Sequence, residues 1–428
     1  MISNNPFFPK KPVPSKFFVG RKYEIAVSFD QISQRGHLAI WAGPGMGRSS
    51  FLDLLASPAV WQEHRLDPSK AVIALLSCEN IQPFTPSGFW REVLSVMKDN
   101  LESEPILQAE IEQILVQGQT TKDSLNKILQ RLGKKGKFLV LLVNDFDVAL
   151  QENKEYTEAN MQQFLSECRS LAVASPGGKS LAMVVTSLKR LSELGPKLNP
   201  NASPWYNHYL FQHLKLLNDR EIEQLLGVMP MTLELREAIK EIAGGHPTLL
   251  QIAGFQLYAQ LETDRKNNKV PDVQEFIKNF EKSTRHIFQI TWGMCSEIEQ
   301  SLLMLLALFH LNGRLHKKKN FDLSNIELIF TQRGRELTNL EEQGVIVCKK
   351  EQEKTVYSFA SLMMQRWVIQ EVWNTDVPLI QQREKVFLKL ISHKQLSQIN
   401  SIWQHKDEVL STIEWFAKLV AAFPKGLI

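Results

Sequence analysis

Cysteine is scarce. The 428-residue chain has four, at Cys78, Cys168, Cys295 and Cys348, widely spaced and without a CxxC pair. That pattern excludes a disulfide framework and a thiolate metal site, and reads as buried or incidental thiols in a reducing compartment. Long apolar runs are also missing. No stretch approaches the roughly eighteen uncharged apolar residues of a membrane span, so no membrane association is expected. The N-terminus lacks a basic-then-apolar segment, which makes the cytoplasm the expected location. Charge of one sign is absent as well: 50 Lys and Arg stand against 46 Asp and Glu, and a net charge of +4 is too small to imply nucleic acid by itself. The ten histidines show no metal-ligand spacing. His208 and His213 fall on opposite faces if their segment is a strand, and read as ordinary polar positions. There is no internal repeat and no low-complexity segment.

What is present is ordinary for a globular protein: 43% hydrophobic and 22% charged residues. A chain of this length is expected to form about two to four domains. Pro6, Pro9, Pro12 and Pro14 make residues 1–21 an extended arm. From 22 to 217 apolar runs alternate with helical patterns. Runs at 37–42, 71–78, 137–143, 180–187 and 208–217 read as strands, and the spacers at 22–35, 48–57, 86–101, 105–132 and 159–173 as helices. Continuous apolar strands alternating with helices predict an α/β domain with a parallel sheet covered on both faces. From Asp219 the pattern turns helical through about residue 291, interrupted by Gly244, Gly245 and Pro247. Between 292 and 375, helices at 296–311 and 331–343 precede two short β-prone runs, Val345–Cys348 and Thr355–Phe359, which fits a winged helix. The tail, 376–428, reads as two more helices. In it, Phe416, Leu419 and Phe423 make an apolar face for the chain's own body or a partner.

The chemistry concentrates after the first strand. Residues 42–50 read Ala-Gly-Pro-Gly-Met-Gly-Arg-Ser-Ser, against a phosphate-loop pattern of G-x-x-x-x-G-K-[ST]. A turn between a strand end and a helix N-terminus aims several backbone N–H groups at one spot, where phosphate oxygens accept them. Gly43, Gly45 and Gly47 allow the turn, with Pro44 and Met46 between them. Ser49 is placed to meet Mg2+, and Ser50 follows it. Ala42 stands at the first Gly and Arg48 at the Lys. Arg keeps the charge but is larger and forked, and does not copy a compact ammonium. A plain glycine-rich strand–turn–helix is the alternative.

P-loop proteins hold Mg2+ with a carboxylate at a neighbouring strand end. Here Leu141-Leu142-Val143 runs into Asn144-Asp145-Phe146-Asp147. In one alignment Asn144 replaces the metal Asp and Asp145 the base. Shifted by one, Asp145 is the metal ligand and Phe146 holds the base position. Each alignment lacks a standard part. A polar strand end with Asp145 in a turn is the alternative.

Several segments together resemble one family. They are Asn5-Pro6-Phe7-Phe8-Pro9, Pro12-Val13-Pro14, Phe18-Val19-Gly20-Arg21, Ser203-Pro204-Trp205-Tyr206-Asn207 and Ala243-Gly244-Gly245-His246-Pro247-Thr248-Leu249-Leu250-Gln251. With the loop, they resemble the STAND class of P-loop ATPases, and within it the bacterial and archaeal ATPases related to the origin-recognition AAA+ proteins, over about residues 5–370. The resemblance implies a P-loop domain at 22–217, a helical lid at 218–291, a winged helix at 292–375 and helices at 376–428. It implies ATP or ADP with Mg2+ as cofactors. Val19, Gly20 and Arg21 would lie along adenine and ribose, and Pro247 of the lid would pack on adenine. Thr186 and Ser187, or Lys189 and Arg190, would sense the γ-phosphate. It further implies a shape change or self-assembly on nucleotide exchange, read out by a protein partner. The departures at Ala42, Arg48 and Asn144 bear on hydrolysis more than on binding, so a slow ATPase at most is expected, with Asp145 and Asn144 as its catalytic candidates.

DNA is the alternative partner. Arg333, Arg335 and Asn339 lie on the candidate recognition helix, with Lys317–Lys319 upstream and Lys349, Lys350 and Lys354 on the wing. Glu336, Glu341, Glu342, Glu351 and Glu353 dilute this basic face, so an internal packing role is favoured.

Overall fold

The computed structural model describes residues 5–197, 203–267, 272–311, 326–351, 354–373, 386, 390 and 416–423. The chain divides into two compact units. One comprises Lys11–Ala42 and Gly47–Leu214; the other comprises Met1–Lys10, Gly43–Met46 and Lys215–Ile428.

The first is a sheet unit. In chain order it contains α1 (Lys22–Gln34), β1 (His37–Trp41), α2 (Arg48–Ala56), α3 (Pro58–Glu63), β2 (Ala71–Ser77), α4 (Pro86–Asp99), α5 (Pro105–Val116), α6 (Lys122–Lys134), β3 (Phe138–Asn144), α7 (Glu158–Arg169), β4 (Leu181–Ser187) and β5 (Tyr209–His213). The five strands form one parallel sheet in the order β2-β3-β4-β1-β5. All five expected strands are present, and the sheet is parallel as their apolar continuity predicts. Leu139–Val143 and Leu181–Val185 are fully buried, because helices cover both faces and neither side of these strands meets water. Expected helix 105–132 is two helices, and α7 ends in a single π-helical turn, Ser170–Ala174.

Side-chain caps start the helices where threonines and prolines fall. Thr85, Thr121 and Thr157 accept from amides of the first turn of α4, α6 and α7, and Thr157 with Asn160 makes a capping box. An aromatic cluster of Phe84, Phe89, Trp90, Tyr156 and Phe164 packs largely edge to face. Phe146 joins it, fully buried against Phe164. This anchors the 3-10 turn Phe146–Leu150 that follows β3, and so fixes the two acidic residues on either side of Phe146.

The second unit is mostly helical. It contains α8 (Asp219–Leu226), α9 (Leu233–Ala243), α10 (Pro247–Asn267), α11 (Val273–Met294), α12 (Glu297–Leu311), α13 (Ile326–Gln332), α14 (Gly334–Glu342), β6 (Ile346–Glu351), β7 (Lys354–Phe359), α15 (Leu362–Trp373) and α16 (Ala417–Ala422). β6 and β7 pair antiparallel from Ile346↔Phe359 to Glu351↔Lys354. The single helix expected from Thr331 to Gln343 is broken at Arg333, whose backbone is non-helical, and α14 begins at Gly334; glycine is a poor interior helix residue. Trp367 is buried edge-on to Trp292, as a core residue. In the tail, Leu419 and Phe423 are buried, and Phe423 packs on Phe276, so the apolar spacing there serves the chain's own body. Most of the expected tail helices, and Lys317–Lys319, lie outside the described residues. Among the described residues no helix is long and apolar enough to cross a membrane. Cys78, Cys168 and Cys295 are buried and all four cysteines are free thiols.

Candidate functional site

In the sheet unit, the ends of β2, β3 and β4 and the start of α2 bring a polar set together. Asn144 is its hub. Its Nδ2 donates to Ser49 Oγ at 3.1 Å and to Asp145 Oδ2 at 2.6 Å, while its Oδ1 accepts from Thr186 Oγ1 at 2.8 Å. Ser77 Oγ also donates to Asp145 Oδ2, at 2.9 Å. Asp145 holds a left-handed backbone, with φ of 52°. Such a conformation costs a non-glycine residue about 1 kcal/mol or more and persists where surrounding contacts enforce it. The Asn144 and Ser77 side chains and the buried Phe146 supply that enforcement.

Arg48, the first residue of α2, reaches both acidic residues. Its Nη2 lies 3.5 Å from Asp145 Oδ1 and its Nη1 3.5 Å from Asp147 Oδ2. Arg48 Nη1 is buried and makes no hydrogen bond. Asp147 Oδ1 accepts the Leu188 N–H at 2.5 Å, which ties the turn after β3 to the end of β4. Burial pushes the Asp147 carboxyl above its ordinary range, against the opposing pull of the Arg48 charge and the Leu188 amide. The negative charge of Asp145 raises Glu79, and burial followed by the same charge raises the Cys78 thiol.

The remaining expected site residues fall as follows. Gly45 and Gly47 have φ of 73° and 91°, the positive values that the loop reading requires. The first helical bond of α2 runs from Phe51 N–H to Gly47 O, so the amides of Arg48, Ser49 and Ser50 precede the ladder. Ser49 is exposed; Ser50 Oγ accepts the Val13 N–H at 3.1 Å. Gly20 and Arg21 both have positive φ and lead into α1, with Arg21 buried and Val19 beside them half-buried. Ser187 Oγ donates to Lys189 O, and the Arg190 guanidinium lies 4.7 Å over the Trp41 ring.

In the helical unit, residues 43–46 are tightly held. His246 Nε2 lies 3.0 Å from Pro44 O, and Thr248 donates to Gly45 O through Oγ1 at 2.6 Å and through its amide at 3.3 Å. Met46 N–H bonds to Gly43 O. A Cβ on Gly43 would stand 2.3 Å from Gln343 O. Pro247 is the first residue of α10, half-buried, where its missing N–H costs nothing.

Three solved structures are similar to the chain in fold. A Walker-type ATPase of Pyrococcus abyssi is 12% identical with a TM-score of 0.48, over 82% of this chain and 96% of that one. The ORC2 protein of Aeropyrum pernix, as ADPNP–ADP complexes, is 13% identical with a TM-score of 0.47, over 83% and 94%. The RuvB Holliday junction branch migration motor of Thermotoga maritima is 12% identical with a TM-score of 0.38, over 80% and 93%. No protein-family model matches the chain, and no curated protein does. Likeness at this level concerns fold alone. The chemistry of the site stands on its own geometry.

That geometry does not suit Mg2+ as the metal pair Ser49 and Asp145 would hold it. Mg2+ demands near-octahedral oxygen donors at roughly 2.0–2.1 Å. Here Ser49 Oγ accepts an amide N–H, Asp145 Oδ2 accepts two donors, and its Oδ1 faces a guanidinium. The carboxylates already have a cation between them. Asp147 and Ser77 are members of this set to which the sequence assigned no role; that Asp147 lies two residues past Asp145 was the available signal.

Proposed function

We propose that the chain is a nucleotide-binding regulatory switch of the STAND type, binding ATP or ADP with little or no hydrolysis. The observation that carries this reading is the pairing of Arg48 with both Asp145 and Asp147 beside the left-handed Gly47 that precedes α2. The amides at the start of α2, which precede its hydrogen-bond ladder, favour phosphate. Asp145, in contrast, is tied to Arg48, Asn144 and Ser77, and so is not a base ready to take a proton from water. Asn144 carries no charge and is already shared among three partners. Binding without efficient turnover suits a protein that acts by changing shape, by self-assembly or through a protein partner.

We read α12–α14 with β6–β7 as a winged helix that packs internally. Arg333 pairs with Glu336 at 3.4 Å and Asn339 donates to Glu299 at 3.3 Å, so two of the three candidate base-reading residues have intramolecular partners. Duplex DNA binding at low salt, measured by fluorescence anisotropy, would instead favour the DNA-binding reading.

The deciding experiment is mass spectrometry of nucleotide extracted from purified protein and from Gly47→Asp. Adenine nucleotide is expected in the parent and not in the variant, whose carboxylate would face the phosphates. A parent that neither retains nor rebinds nucleotide ends the proposal, and brisk ATPase activity ends the claim of weak hydrolysis.

A further inference from the structure

We infer that Arg48 is the resident cation of this site, and that the chain binds nucleoside di- and triphosphates without a divalent metal. This inference rests on the nucleotide-binding reading above.

A metal at a phosphate site neutralises phosphate charge and is itself held by carboxylate oxygens. Here one guanidinium stands within 3.5 Å of two carboxylates, Asp145 and Asp147. Its charge is permanent, and its five N–H donors exceed what those two contacts use. Nη1 in particular is buried and makes no hydrogen bond, its ion-pair partner Asp147 Oδ2 standing 3.5 Å away. A buried unmet donor on a charged group is costly, and an anionic oxygen would relieve it. The residues that would coordinate a metal are filled from the protein side: Asn144 presents an N–H to Ser49 Oγ, where a metal site needs an oxygen. A divalent ion would have to expel the guanidinium from two carboxylates and turn the Asn144 amide, which Thr186 holds by its oxygen. Arg at 48 and Asn at 144 thus act together: one supplies the positive charge and the other removes the metal's seat.

The test is calorimetric titration of the full chain, freed of bound nucleotide, with ADP and with ATP. Each is measured in excess EDTA and again in millimolar MgCl2. The affinities are expected to agree within about twofold. Binding that strengthens about tenfold or more with MgCl2 overturns the inference and leaves the nucleotide reading intact. Binding in neither condition sinks both. The double variant Arg48→Lys with Asn144→Asp carries the second arm. Its compact ammonium cannot span both carboxylates and the new carboxylate returns an oxygen to the seat that the Asn144 amide fills, so MgCl2 should now improve affinity by about tenfold. If the double variant binds as indifferently to MgCl2 as the parent, the assignment of the cation's role to Arg48 is wrong.

Discussion

The Asn144 amide donates to Asp145 Oδ2 across 2.6 Å. An aspartate at position 144 would put a second carboxylate where this N–H now stands. Asn144→Asp should therefore lower stability at pH 7 by about 1–3 kcal/mol, the cost of a lost donor and a facing like charge. The new carboxyl would have a raised pKa, so the deficit is present at high pH and shrinks as the pH falls through that value. Urea unfolding at pH 7 and pH 4.5 checks both the loss and its partial recovery.

Arg48→Met leaves two carboxylates facing each other without their cation. Breaking a buried pair from one side costs about 3–5 kcal/mol. These side chains keep 9–16% exposure, so about 2–3 kcal/mol is expected at neutral pH. Burial already raises Asp147, and losing Arg48 raises it further. The deficit should fade on acidification through that raised pKa. Denaturant midpoints across pH 4–8 provide the measurement.

Two loop glycines should fail differently. An alanine at Gly47 meets no atom within 4 Å but must hold φ of 91°, a strain of about 1–2 kcal/mol. An alanine at Gly43 would collide with the Gln343 carbonyl at 2.3 Å, and backbone does not yield cheaply. Thermal unfolding should show the larger drop for Gly43→Ala.

His208 gives a second pH signature. Burial, with help from His37 and Arg169, lowers its pKa from 6.5 to about 4. A depressed histidine favours the fold above the unfolded value and loses that advantage as pH falls toward the folded one. Between pH 6.5 and 4 its protonation should remove up to about 3 kcal/mol. Since carboxylates titrate in the same window, the difference between wild type and His208→Asn is the quantity to measure; parallel curves would refute the assignment.

Much of this was legible in the sequence. The apolar runs of β1, β3 and β4 carry their own evidence of two-sided burial, and a strand followed by glycines and a helix marks the loop. The ion-paired cluster was not legible. Arg48 and Asp147 lie far apart along the chain, and their meeting depends on β4 lying between β1 and β3 and on the left-handed turn at Asp145. Periodicity encodes neither. The expected domain cuts ran in sequence order, whereas Gly43–Met46 group with Lys215–Ile428. Such grouping reflects long-range hydrogen bonds, like that from Thr248 to Gly45 O, which local pattern does not reveal. The break at Arg333 was announced by Gly334, and the amphipathic spacing outweighed it.

An amide group has two ends but only one rotation. Since the Thr186 hydroxyl claims the oxygen of Asn144 from inside the sheet, its nitrogen is obliged to point the other way, toward Ser49. Whatever rearranges Ser49 therefore tugs on the central strand β4, and Thr186→Val would free that lever to swing without touching α2 at all.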